Sequence, residues 1–292
     1  MRKRIYTLTL TATVIALLAV PASRAQSFSS FILSGRADVL ATGDLSFLTP
    51  DLAAGRISAD VSYGKWMPAT LDYSAIQAGA FFAANENLGF RLDYRKNLFA
   101  TINLIDFNGN EKGSFRPEEE RILAGVSLRF AEKFYVDVNA KYLNTWMPDH
   151  KANCFAGDLG VSMAEGGMTI GLKLADLGTK YDLGNGAYSL PMRVLLGGSY
   201  AIVPAEKHTL TLGADLGYIL PKEYNALMAA AGLQYAFDNM VFARAGYRYG
   251  GSGAPSFASF GLGFAFKGVG LDAAYLLGQA GNAWTAGLHV TL

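Results

Sequence analysis

The residues of this chain that could do chemistry are charged side chains set two positions apart among apolar ones. Unpaired charge is costly away from water, so we expect these side chains to face one another, or water, inside a closed wall. This predicted lumen charge network contains Arg91, Asp93, Arg95, Arg121, Arg129, Asp137, Lys141, Asp158, Lys173, Arg193, Asp215, Arg244, Arg248 and Asp272. Two interpretations stay open, a structural set of ion pairs and a path for a ligand or an ion.

Residue types that serve catalysis are few and scattered. No Ser–His–Asp set of known spacing surrounds the three histidines, which are His150, His208 and His289. Cys154 is the only cysteine, which excludes an intrachain disulfide and a cysteine metal cluster. We predict that the protein is not an enzyme and holds no metal or cofactor. A net charge of +1 gives no indication of nucleic-acid binding.

Strict alternation of apolar and polar residues predicts the elements that position these charges. Over residues 284–292, for example, the apolar side chains take every second position, with threonine, glycine and histidine between them. Such a strand has one apolar and one polar face. Repeated segments of this kind predict an all-β fold: a transmembrane antiparallel barrel of about fourteen strands, with lipid outside and a polar lumen inside.

The predicted connections fall into two length classes. Turns such as 238–239 and 267–268 are very short, whereas 108–113, 147–153, 176–191 and 250–255 are longer. Outer-membrane barrels have short turns in the periplasm and longer loops outside. A soluble sandwich or a lipocalin-like barrel is the alternative, but neither explains the one-sided loop lengths.

The N-terminus predicts export. A basic start at residues 2–4 precedes a short apolar run, and Ser23 and Ala25 satisfy the small-residue rule for cleavage after Ala25. An uncleaved anchor is the alternative, although the run is shorter than the roughly 20 residues that a membrane span needs. We therefore predict a signal peptide at 1–25 and localisation to the cell outer membrane, with outer-membrane lipid as one partner.

Residues 26–56 alternate poorly, which separates them from the barrel predicted at 57–292. Three glycines and one proline, Pro50, interrupt short apolar pieces such as 28–33. We expect this segment to plug the lumen from the periplasmic side, and a disordered tail is the alternative.

The three tryptophans fall at predicted strand ends on the side of the longer loops. Tryptophan favours the membrane–water interface because its ring is apolar and its N–H needs a polar partner. We therefore expect Trp66, Trp146 and Trp284 to be interfacial aromatics in an outer girdle.

Several segments resemble a known family. Residues 88–94, the hairpin-like stretch 106–119 and the return strand 123–130 are similar to a strand–hairpin–strand unit of the PorV/PorQ outer-membrane proteins of Bacteroidota. Residues 174–182 and 190–200, with a leucine–proline pair, a basic residue and two glycines, resemble the entry to a later strand of the same family. The resemblance covers roughly residues 35–290 and implies a FadL-like barrel of fourteen strands.

The resemblance also implies a function without catalysis. PorV-like barrels act as accessories of type IX protein secretion, through other outer-membrane or secreted proteins. Binding residues tend to collect on loops, and aromatic and arginine anchors often dominate interfaces. The partner-binding candidates on the expected outer rim are Phe107, Phe115, Arg116, Tyr181, Tyr188 and Leu190. Two alternatives remain: the loops merely cap the barrel, or the protein is a FadL-like channel for small hydrophobic molecules.

Overall fold

The fold is a closed antiparallel barrel of fourteen strands. The computed structural model describes residues 29–46, 52, 57–68, 72–106, 108–147, 151–182, 186–220, 226–251, 254–278 and 281–292. The strands that form the wall are β1 (Ser58–Pro68), β2 (Tyr73–Asn85), β3 (Leu88–Phe99), β6 (Glu118–Ala131), β7 (Phe134–Trp146), β8 (Lys151–Glu165), β9 (Met168–Gly178), β12 (Arg193–Ala205), β13 (His208–Ile219), β14 (Ala226–Phe237), β15 (Val241–Tyr249), β16 (Phe257–Phe266), β17 (Val269–Gly278) and β18 (Gly281–Thr291).

Each wall strand pairs with its neighbours along the chain, and β1 closes the ring by pairing with β18 from Ser58↔Thr291 to Pro68↔Gly281. The prediction of an antiparallel barrel of about fourteen strands is therefore confirmed. Closure leaves no sheet edge, which is the condition for a sheet to cross lipid with its backbone hydrogen bonds satisfied.

Side chains alternate between the two faces of the wall. On β17, Leu271 is 57% exposed on the outside, whereas the next residue, Asp272, is 7% exposed and faces the lumen. Large apolar residues cover the exterior, including Leu262 at 69% and Phe155 at 62% exposure. A water-soluble barrel would bury such residues, so the exterior is built to face lipid.

The two ends of the barrel differ. At one end, called here the turn end, tight turns such as Lys267–Gly268 connect neighbouring strands, with φ of 50° and 81°. Such left-handed residues suit two-residue hairpin turns because their twist matches that of the strands. The longer connections lie at the opposite end, called here the loop end.

Two small sheets lie outside the wall. The pair β4 (Ile102–Ile105) and β5 (Glu111–Phe115) forms a hairpin between β3 and β6, and β10 (Tyr181–Asp182) pairs with β11 (Ala187–Tyr188) between β9 and β12. The wall strand β3 therefore ends at Phe99, before the hairpin begins. Phe99 N–H donates to Pro117 O, and Pro117 has no N–H with which to continue the ladder.

A short 3₁₀ helix (Ser29–Ile32) and the helix α1 (Ala37–Ala41) precede the wall. No helix among the described residues is long and apolar enough to span a membrane. Residues 1–28, which contain the expected signal peptide, lie outside the described residues, and so do Phe107 and His150.

A charged substitution is expected to destabilise the barrel more on the lipid face of the wall than on its lumen face. Leu212 on β13 is 44% exposed on the lipid side, opposite Tyr200 and Leu233, whereas its neighbour Thr211 faces the lumen. We expect Leu212→Arg to lower the free energy of unfolding by about 2–4 kcal/mol, and Thr211→Arg to lower it much less. Urea titration in lipid vesicles measures both, and the reverse ranking would contradict the orientation of β13.

Candidate functional site

The N-terminal segment occupies the barrel lumen. Residues 29–46, called here the plug segment, run along the inner wall, and α1 lies against β15 to β18. Residue Leu52 packs at the turn end against Phe81 and Tyr135. The described part of the chain before β1 therefore extends from the loop end of the lumen to its turn end.

An apolar chamber lies at the loop end and surrounds the ring of Phe31. Its wall residues come from β7 and β8, and its roof comes from the β10–β11 region. This loop-end chamber is formed by Leu143, Ala152, Cys154, Ala156, Tyr181 and Leu190, with Tyr188 packed against it. Phe31 itself is 5% exposed. The ring therefore packs in an apolar cluster of side chains from the wall and the roof.

The next two plug residues bury their side chains in adjoining apolar clusters. Ile32 packs with Leu195, Ile219 and Met228. Leu33 shares a cluster with Trp66 and Phe257. Three consecutive hydrophobic residues of the plug segment, Phe31 to Leu33, therefore each occupy an apolar cluster of the lumen near the loop end.

Arginines of the wall hold the backbone of this hydrophobic run. Arg193 Nη1 donates to Ile32 O at 2.9 Å, and Arg95 Nη1 donates to Leu33 O at 2.6 Å. The guanidinium carbons of Arg95 and Arg121 lie 5.5 and 5.6 Å from the centre of the Phe31 ring, within the range of cation–π attraction. These contacts satisfy plug carbonyls that would otherwise be buried without a partner.

A buried ion pair fixes the other end of the plug segment. Arg248 Nη1 lies 2.6 Å from Asp44 Oδ2, and both side chains are almost fully buried. Asp44 Oδ1 also accepts from the backbone N–H of Ser34 at 2.8 Å, which ties the two ends of the segment together. Ser46 N–H donates to Asp215 Oδ2 at 2.5 Å. The segment is therefore attached to the wall at several points along the barrel axis, by an ion pair with Arg248 and by a hydrogen bond to Asp215.

Three inward glycines leave room for the plug backbone after α1. A Cβ built on Gly232 would lie 2.8 Å from the Thr42 carbonyl carbon, and one on Gly246 would lie 2.6 Å from Thr42 O. A Cβ on Gly261 would collide with Ala41. These glycines, on β14 to β16, are called here the glycine cradle. Next to them, Ser259 Oγ accepts from Gly43 N–H at 3.1 Å and donates to Ala41 O at 3.0 Å.

A cluster of buried charges lies where β9 bulges. Lys141 Nζ contacts Asp158 Oδ1 at 2.6 Å and Asp176 Oδ1 at 2.8 Å, and Arg193 Nη2 contacts Asp176 Oδ2 at 2.5 Å. The β8–β9 register shifts after Gly157↔Leu177, so that Ala175 and Asp176 both point inward. The bulge turns the Asp176 carboxylate toward the lumen. Asp158 Oδ1 accepts a hydrogen bond from the Asp176 N–H at 2.9 Å.

A second charged group lies nearer the turn end. Asp272 pairs with Arg244 at 2.5 Å and with His289 Nδ1 at 2.9 Å, and Arg244 Nε donates to Gln234 at 2.6 Å. A cavity of about 10 Å³ lies beside this group, next to Asp60 and the plug residue Asp38. That space is about the size of one water molecule, so the plug segment packs closely against this wall.

The structure places all fourteen charges of the predicted lumen charge network on the inner face. Arg91 lies 3.8 Å from Asp93. Asp137 accepts from Ser127 Oγ at 2.5 Å, and Arg129 donates to Glu132 O. Lys173 reaches Asp158 at 3.6 Å. The contacts of Arg95, Arg193 and Arg248 with the plug segment could not be read from strand alternation, which gives a side chain's face but not its partner.

The structure corrects two sets of predictions. Tyr181 and Leu190 are not exposed on a rim, since they are 3% and 4% exposed and pack on Phe31 together with Tyr188. Trp66 lies near a strand end but faces the lumen, is 9% exposed and stacks on Tyr73, so it is not an interfacial aromatic of an outer girdle. Trp146 and Trp284 point outward near the loop end.

The remaining rim candidates belong to the β4–β5 region. Phe115 is the last residue of β5 and is partly buried, and the exposed Arg116 donates from Nε to Phe99 O at 2.9 Å. Of the five predicted partner-binding residues that the structure describes, these two remain on the outer surface.

The barrel is similar to solved structures of FadL-like outer-membrane proteins. It superposes on the Pseudomonas putida toluene transporter TodX with a TM-score of 0.54, at 12% identity, over 89% of this chain and 98% of that chain. The Ralstonia pickettii toluene transporter TbuX gives a TM-score of 0.55, at 12% identity over 89% and 98%. A Pseudomonas aeruginosa FadL homologue gives 0.53, at 13% identity over 88% and 96%.

No protein-family model and no curated protein matches the sequence. At identities of 12–13%, the structural likeness establishes the fold alone. The chain has the FadL-like barrel fold of outer-membrane proteins. Its neighbours in structure are transporters and channels.

The glycine cradle predicts that one methyl group can displace the plug segment. In Gly246→Ala the new Cβ meets the Thr42 backbone, whereas in Gly160→Ala, also inward-facing, the closest atom is Asp137 Cβ at 3.7 Å. We expect Gly246→Ala to raise the single-channel conductance in planar bilayers and Gly160→Ala to leave it at the wild-type value. Equal conductance of all three proteins would show that the cradle does not hold the plug segment.

Loss of a buried ion pair is expected to lower the free energy of unfolding more than loss of an exposed one. Asp44→Asn leaves Arg248 buried without its counter-charge, which typically costs about 3–5 kcal/mol in the free energy of unfolding. The matched control is Asp238→Asn, because Asp238 pairs with Lys207 at 3.4 Å on exposed turns, where a pair is worth about 0–1 kcal/mol. Urea unfolding measures both; similar small costs would contradict the role of the Arg248–Asp44 pair.

Proposed function

We propose that this protein is an outer-membrane channel for small hydrophobic molecules, closed in the described state by its own plug segment. The observation that carries the proposal is the loop-end chamber, where Phe31 occupies a space lined by Leu143, Cys154, Tyr181 and Leu190. An apolar molecule of similar size that replaces the ring would keep the same contacts. The chamber therefore suits a small hydrophobic ligand better than an ion or a sugar.

The similar barrels support this choice of ligand class. TodX and TbuX are toluene transporters, and TodX is also described as a monoaromatic hydrocarbon channel. The size of a benzene ring matches the Phe31 side chain that fills the chamber here. The remaining parts of the proposal are export by a signal peptide cleaved after Ala25, and an orientation with the loop end facing outward.

Uptake by intact cells tests the proposal. A lipopolysaccharide outer leaflet hinders hydrophobic solutes, so expression of a working channel should raise the initial rate of radiolabelled toluene uptake. Leu190→Gln places a polar group in the chamber and should reduce that rate severalfold. Leu220→Gln is the matched control, because Leu220 is 41% exposed outside the chamber and its replacement should leave uptake unchanged. Uptake equal to that of cells lacking the protein would overturn the proposal.

The second candidate is the accessory role in type IX secretion or outer-membrane assembly that the PorV/PorQ resemblance implies. The observation in its favour is the β4–β5 hairpin, where Ile102 is 42% and Ile105 is 64% exposed. Hydrogen bonds connect residues near the hairpin tip: Asp106 accepts from the backbone N–H groups of Asn110 and Asn108, each at 2.9 Å. The bond from Asn110 is the main cause of the lowered pKa of the Asp106 carboxyl. A hairpin with exposed isoleucines suits a protein partner.

Affinity purification from native membranes separates the two candidates. If the accessory role is correct, a secretion or surface protein should co-purify with the wild type and should be lost when residues 102–115 are replaced by a short Gly-Ser turn. Barrel folding, read from mobility on unheated gels, serves as the control. Purification of the wild type without any protein partner would remove this candidate and leave the channel proposal untouched.

A further inference from the structure

One sector of the outer wall carries fixed charges near the loop end. Its residues are Lys96 on β3, Glu118 and Glu120 on β6, Trp146 on β7 and Lys151 on β8, called here the charged sector. Their chain neighbours Arg95, Asn97, Glu119 and Thr145 are at most 2% exposed and face the lumen, so the sector residues take the alternate, outward positions. The register places them side by side: Lys96↔Glu120, Glu118↔Trp146 and Trp146↔Lys151.

The wall from β9 to β17 differs at this height. Its described outward residues nearest the loop end are uncharged, namely Leu177, Val194, Tyr218, Leu227, Tyr249, Ala258 and Leu277. On β1, the outward Lys65 pairs with Asp72 at 3.5 Å. Charge on a lipid-facing wall is tolerated only near an interface. The charged sector therefore differs from most of the described wall, and it contains a lysine, Lys151, for which the described residues supply no ion pair.

Two ammonium groups flank a single indole ring in this sector. Lys96 Nζ and Lys151 Nζ each lie 5.6 Å from the centre of the Trp146 ring. Lys96 also contacts Glu118 Oε2 at 2.5 Å and Glu120 Oε1 at 3.2 Å, which fixes its position. Lys151 is exposed at the end of β8 and makes no ion pair within the described residues.

Below Trp146 and Lys151, one polar row (Lys96↔Glu120↔Asn144↔Asn153) separates them from apolar side chains. Tyr94↔Ile122↔Tyr142↔Phe155 form the next outward row toward the membrane centre. Ile122 is 47% and Phe155 is 62% exposed. A ligand with an anionic head beside Lys151 and several acyl chains along the Ile122–Phe155 row would contact both parts of this surface.

We propose that the charged sector binds a phosphorylated glycolipid of the outer leaflet, with a headgroup phosphate on Lys151 and acyl chains along the Ile122–Phe155 row. Lysine binds phosphate as a point charge, and basic residues beside a membrane attract anionic lipids. The loop end is the end that contacts the outer leaflet in an outer-membrane barrel. This lipid would orient and anchor one side of the barrel, independently of what the lumen transports.

Binding of purified bisphosphorylated lipid A to the detergent-solubilised protein, measured by native mass spectrometry, tests the proposal. Lys151→Glu should raise the Kd by about fivefold or more, and Lys151→Arg should retain wild-type affinity. The matched control is Lys267→Glu, since Lys267 Nζ also lies over an aromatic ring, that of Phe266 at 5.3 Å, but at the turn end. The control variant should bind as the wild type does.

Three results would overturn the proposal. The first is equal affinity of the wild type and Lys151→Glu. The second is an equal loss in Lys267→Glu, which would indicate a response to net charge alone. The third is equal binding of a control lipid. Equal binding of dephosphorylated lipid A would show that the phosphate is not recognised, and equal binding of phosphatidylglycerol would show that the site does not prefer a glycolipid. Mobility on unheated gels verifies folding, and Lys151→Gln, expected to weaken binding to a smaller extent, replaces Lys151→Glu if that variant does not fold.

Discussion

The structure depends on one constraint: a sheet that faces lipid must close, because unpaired backbone groups in hydrocarbon are too costly. Closure is achieved by the pairing of β1 with β18, and it creates a lumen whose inner face is isolated from lipid. Every second residue of each strand must then face that lumen, which is where Arg95, Arg193 and Arg248 lie. The chemistry of the interior therefore follows from the closure of the wall.

A lumen lined by charges also needs partners for them, and the plug segment supplies several. Asp44 pairs with Arg248, and the carbonyls of Ile32 and Leu33 accept from Arg193 and Arg95. The segment satisfies wall cations while its own hydrophobic run fills the loop-end chamber. Polar attachment and apolar filling are thus combined in one short stretch of chain, which can close the lumen without a separate domain.

Much of this fold could be predicted from the sequence, because strand alternation has a strict period of two. The inward direction of Asp272 and the outward direction of Leu271 follow from it. The burial of Tyr181 and Leu190 could not be predicted, since a loop has no periodicity and their partner, Phe31, is far away in sequence. The glycine cradle was missed for a similar reason: Gly232, Gly246 and Gly261 resemble ordinary strand glycines until the Thr42 backbone lies across them.

The central claim is that the plug segment closes a path through the barrel by filling the apolar loop-end chamber and pairing with charges of the inner wall. Deletion of residues 29–46, with the wall from β1 onward kept intact, tests it most directly through paired measurements of bilayer conductance and toluene uptake by cells. The account predicts a barrel that still folds and shows a large, persistent conductance together with faster uptake than the wild type. A folded deletion variant with wild-type conductance and uptake would contradict it.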